Sequence, residues 1–181
     1  MAFNLGGNTY HPISVDFITS SYRIVGKVLV TYSGMMGIMT DTNSSVVEVH
    51  DAQLARLDMP NRLADRFEIA RLVKKQIVAI CLSRREDMGS VGFNSYSPSP
   101  TYPLRLVTAS YEIIGNLEWA GRFDVSAIMA KGTRDFITLY NARIAATLVP
   151  TMHVESPVML VNRNLVDLFA LSVQENMDEE V

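Results

Sequence analysis

A chain of 181 residues has room for one medium domain or two small ones. With 48% hydrophobic and 19% charged residues it has a globular composition, and a net charge of -3 gives no global pull towards nucleic acid or an anionic membrane. No apolar run approaches the ~18 residues that span a bilayer, and MAFNLGGNTYHP lacks the basic start and apolar core of a signal peptide, so a cytoplasmic protein with no membrane partner is expected.

Residues 1–21 read as an N-terminal segment, frayed over its first 15. YRIVG (22–26) opens the first strand, with Tyr22, Ile24, Val28 and Val30 alternating about Gly26. A glycine in mid-strand marks a bulge or a tight bend. Ser33 is placed to cap a short helix over GMMGIMTD, which Gly37 weakens. A strand over VVEVHDAQL (46–54) follows, then a loop containing Pro60. In LVKKQIVAI (72–80) the polar triplet Lys74-Lys75-Gln76 breaks a strand's two-residue alternation, which predicts a tight turn between two short strands. Cys81, the only cysteine, lies in the apolar run QIVAICL and is expected to be a buried, inert thiol. These elements form a first β-lobe over 22–85.

Residues 86–110 carry Pro98, Pro100 and Pro103 and read as a linker. Phe93, Tyr96 and Tyr102 are costly to leave wet, which makes this stretch a candidate partner-docking loop. A second β-lobe over 111–173 then repeats the first. YEIIG (111–115) matches YRIVG at an offset of 89, FITLYNARI (136–144) matches VVEVHDAQL at 90, and LVNRNLVDL (160–168) matches LVKKQIVAI at 88. Asp124 is placed to cap a helix through Val125, Ile128 and Met129 that Gly132 stops. Asn162 and Asn164 suit positive backbone angles in the second turn, whereas Lys74 and Lys75 do not. One turn is then expected to be hydrogen-bonding and the other cationic and partner-facing. The chain ends in an acidic tail, 174–181.

The expected fold is mainly β: two similar small bent-sheet or barrel-like lobes, each with one short helix, related by internal duplication. Cores that small gain from docking on one another. Arg122 to Asp124, Phe136 to Ala142 and Val161 to Leu165 give a short R-x-D helix start, a strand ending in a polar residue and Ala, and a closing V-N-[KR]-x-x-[IVL] strand. In these elements the second lobe resembles small uncharacterised bacterial β domains, here in tandem. The first lobe departs from the pattern, with no R-x-D and with Lys74-Lys75 in place of Asn162-Arg163. The resemblance implies a fold class and no activity.

The chemistry-bearing residues do not converge. His11, His50 and His153 are far apart, and His153-Val-Glu155 is the one local grouping, so no metal site is expected. Neither a nucleophile–base constellation nor a phosphate-cradling glycine loop is present. No catalytic residue and no cofactor are therefore assigned, and a non-enzymatic protein is expected; an enzyme would have to use an unfamiliar site in the cleft between the lobes. Charge is less even: residues 22–85 hold ten basic and six acidic residues. Arg62, Arg66, Arg71, Lys74 and Lys75 form a candidate anion or nucleic-acid patch, although Phe67 is the one aromatic near them for stacking. The principal expectation is an interaction or assembly module that self-associates, forming a homo-oligomer, or docks a protein partner, because strand edges need covering. Anion or nucleic-acid binding by the first lobe is the alternative.

Overall fold

The computed structural model describes residues 3–5, 8–59, 62–89, 99–120, 122–130, 135–149 and 151–172. It is mainly β. Among the described residues eleven strands occur in order: β1 (Phe3–Leu5), β2 (Asn8–Thr19), β3 (Tyr22–Val30), β4 (Val46–Arg56), β5 (Leu63–Val73), β6 (Ile77–Leu82), β7 (Thr101–Thr108), β8 (Tyr111–Glu118), β9 (Phe136–Ala146), β10 (His153–Asn162) and β11 (Val166–Leu171). Helix α1 (Gly34–Thr40) lies between β3 and β4, and α2 (Val125–Ala130) between β8 and β9. Single 3-10 turns, Lys74–Gln76 and Arg163–Leu165, join β5 to β6 and β10 to β11.

The strands form one continuous antiparallel sheet, ordered β11-β7-β8-β9-β10-β6-β2-β3-β4-β5, with β1 added on β2. The sheet is not closed, which corrects the barrel-like form expected of the two lobes, and it passes unbroken from one half of the chain to the other through β10 and β6. The reason lies in those two strands. Every residue of Ile77–Leu82 is buried, as are Val158 to Asn162. A strand with both faces apolar must be covered on both. Ile77, Ile80, Leu82, Val158 and Leu160 enter one core with α1, whereas Val78, Ala79, Cys81, Met159 and Val161 enter the other with Ile128 of α2. Each core thus borrows side chains from the other half of the chain.

The stretches expected as an N-terminal segment (1–21), frayed over its first 15 residues, and as a linker (86–110) are in part regular structure. Each contains a strand, β2 and β7, hydrogen-bonded on both sides over part of its length. Pro103 reads as a breaker, yet it sits, as Pro12 does, where the strand has a ladder on one side only. The β6 ladder of β2 starts at Val15, and the β11 ladder of β7 starts at Leu104. Proline is tolerated at such edge-like positions.

The glycine bulges are present. Opposite Gly26 the β3–β4 ladder skips Asp51 and Ala52, and opposite Gly115 the β8–β9 ladder skips Asn141 and Ala142. The helices also lie where expected. Asp124 Oδ1 accepts from Ala127 N–H at 3.2 Å, whereas Ser33 occupies the cap position of α1 without making the cap bond and pairs with Thr31 Oγ1 at 2.8 Å.

Candidate functional site

The turn residues show what their side chains are for. Lys74 is buried, and its Nζ donates to the carbonyls of Ile38 (2.6 Å) and Asp41 (2.8 Å) at the C-terminal end of α1. At the corresponding turn Arg163 donates from its guanidinium to the Ile128 carbonyl of α2 at 3.2 Å. Cations suit the carbonyl-rich end of a helix. The positive φ expected of Asn162 is corrected: its φ is -72° and its Oδ1 accepts from Asn164 N–H. The positive-φ side-chain-bearing residues among those described are Asp51 and Asn141.

The predicted basic patch does not come together as one face. Along β5 successive side chains alternate between faces. Ala70 and Leu72 pack on the core, so Arg66 shares their face and Arg71 points the other way, where Glu48 Oε2 holds it at 3.0 Å. Lys74 is spent inside. Arg62, Arg66 and Lys75 are exposed, the first just before β5, the second within it and the third in the turn after it. Of the candidate docking loop, Phe93 and Tyr96 lie outside the described residues. Tyr102 is in β7, its ring tilted against Phe123 with centroids 4.6 Å apart, and Phe123 in turn lies 6.4 Å from Phe169 of β11. Cys81 is buried and burial pushes its thiol well above the usual range. No group of three or more His, Cys, Asp or Glu side chains that could hold a metal occurs among the described residues, and no helix there is long and apolar enough to cross a membrane.

What the sheet does expose is its two ends. Among the described residues β5 has β4 as its one strand neighbour and β11 has β7. Their outer residues include Phe67, Ile69 and Val73 on β5 and Leu168 and Leu171 on β11, all large, apolar and exposed. An open edge carrying apolar side chains is a template for another strand.

β10 and β6 make the join between the two halves of the chain. β10 pairs with β6 antiparallel, Val158 opposite Leu82, Met159 opposite Cys81, Leu160 opposite Ile80 and Val161 opposite Ala79. Side chains reinforce it: Ser156 Oγ accepts from Leu82 N–H at 3.1 Å and Asn162 Nδ2 donates to the Ile77 carbonyl at 3.1 Å. The Tyr111 hydroxyl donates to Thr19 O across the same boundary at 2.6 Å. Arg85 binds Glu118 and lies 4.1 Å over the Tyr140 ring.

The sequence missed this site because an edge strand differs from an interior one by its neighbours and not by its own pattern. No protein-family model, curated protein or solved structure matches the chain.

Proposed function

We propose that the chain is a non-enzymatic assembly module, built from a duplicated unit and self-associating through its two open sheet edges. Support for the duplication lies in the sheet order. The half β11-β7-β8-β9-β10 repeats, strand for strand, as β6-β2-β3-β4-β5. Both halves place a helix after the same strand, a glycine opposite a two-residue bulge, and a 3-10 turn before the last strand. Non-local chemistry agrees: Lys74 N–H bonds Ser45 O as Arg163 N–H bonds Asp135 O.

The single observation that carries the functional reading is the apolar exposure on β5 and β11. Positions 69, 168 and 171 of the edges correspond, at an offset of 89, to 158, 79 and 82 of the internal join. Ile69, Leu168 and Leu171 are 44%, 49% and 51% exposed, whereas Val158, Ala79 and Leu82 are 0%, 0% and 1% exposed. Equivalent places are thus covered inside the chain and bare at its ends. Fully burying an Ile or Leu side chain contributes about 1.5–3 kcal/mol, and these side chains, about half exposed, have roughly half of that still to gain, so several together can drive association. Light scattering over a wide dilution series is expected to give a mass several times that of the 20.1 kDa chain. A strict monomer at every concentration would refute self-association.

A further inference from the structure

We infer that β5 of one molecule pairs antiparallel with β11 of a second copy in the register of the internal β10–β6 join. The inference deepens the assembly reading above and rests on it. The two open edges are not two examples of one surface: β5 occupies the place of β10 and β11 the place of β6. The chain therefore already contains one worked instance of the contact its ends have yet to make.

The register follows from the equivalence. Three independent features set the offset at 89 around the join. The 3-10 turns begin at Lys74 and Arg163. Val46 pairs with Val73 as Phe136 pairs with Asn162. The β2–β6 ladder skips Val78 as the β7–β11 ladder skips Asp167. This corrects by one residue the offset of 88 read from LVKKQIVAI and LVNRNLVDL, where matching side-chain types outweighed position. Moving the internal pairs by 89 places Ile69 opposite Leu171, Ala70 opposite Ala170, Arg71 opposite Phe169 and Leu72 opposite Leu168.

The side chains fit that arrangement. Leu72 and Ala70 pack against the first half's core, so Leu168 and Ala170 of the second copy would complete that core as Ala79 and Cys81 complete the other. Ile69 would in turn cover Phe169 and Leu171, as Val158 covers Ile80 and Leu82. The one charged substitution is Arg71, standing where the join has Leu160. Its long stem covers apolar surface and its guanidinium, already paired with Glu48, meets the Phe169 ring, a favourable cation–aromatic pairing. This contact is heterologous, because different surfaces meet. A dimer keeps one free β5 and one free β11, and growth ends when a ring closes.

The test mixes a full-length Ile69→Cys chain with a Leu171→Cys chain under mild oxidation, with non-reducing electrophoresis as the readout. Both residues are exposed, so neither change disturbs a core, and buried Cys81 does not compete. Directly opposed residues in an antiparallel pair lie about 4.5–5.5 Å apart, within disulfide reach. A covalent dimer should form in the mixture and exceed by tenfold or more the yield from Phe67→Cys with Leu171→Cys, two residues out of register. Leu72→Cys with Leu168→Cys should reproduce the positive result. Oligomers in light scattering whose β5 and β11 cysteines fail to link, or link best out of register, would overturn this inference and leave self-association standing. Monomers with no cross-link would overturn both.

Discussion

Asp51 and Asn141 hold backbone φ angles of 52° and 47°, and a glycine faces each across its ladder. The left-handed conformation costs an ordinary residue about 1–2 kcal/mol, less for Asn and Asp. Replacing Asn141 by Val should therefore destabilise the fold by about 1–2 kcal/mol, while Asn141→Gly should leave it unchanged or slightly stabilised, both read from urea unfolding midpoints. The facing glycines are fixed by space. A Cβ on Gly26 would lie 2.8 Å from the His50 carbonyl oxygen, and one on Gly115 2.8 Å from the Ala142 Cβ. Gly26→Ala and Gly115→Ala should each cost about 1–3 kcal/mol in the same assay. The glycine half of this motif was legible, because a glycine inside an apolar alternation has few other purposes. Its other half was not: VEVHDAQ and TLYNARI carry no local mark of a bulge, and Asn162 and Asn164 attracted the positive-φ reading instead. Asn162 uses its side chain as a cap, a choice that depends on the turn geometry around it.

At the scale of elements, the β5–β6 turn shows how a charge can be misread from sequence. The polar triplet did announce a turn, because three polar residues cannot lie on one face of a strand. It did not announce that Lys74 folds back under α1 while Lys75 stays exposed. Lys74→Met removes both bonds to helix carbonyls and should cost about 1–3 kcal/mol, whereas Lys75→Met should change stability by under about 0.5 kcal/mol. Thermal or urea unfolding of the two variants side by side checks this; equal effects would contradict the assignment of Lys74 to the end of α1. β2 and β7 were illegible for a related reason. Pro12 and Pro103 forbid a ladder bond at their own nitrogens only, and whether that matters depends on a neighbouring strand that lies 60 or more residues away in the chain.

For the whole molecule, the runs IVAICL and VMLV held the main clue to the architecture. A fully apolar run predicts a strand buried on both faces, and two such strands side by side make one sheet with a core on each face of its centre, where two docked lobes had been expected. The two ends of that sheet, β5 and β11, each have one strand neighbour among the described residues. Head-to-tail assembly makes a sharp demand on two variants, each with one edge closed by a charge on an exposed apolar residue. Ile69→Lys disables β5 and Leu171→Lys disables β11. The measurement is the light-scattering mass of each variant alone and of their equimolar mixture. Each alone should be a monomer, and the mixture should form a dimer of one of each that grows no further. Oligomers from either variant alone, or a mixture that stays monomeric while the unmodified chain assembles, would contradict the pairing of β5 with β11.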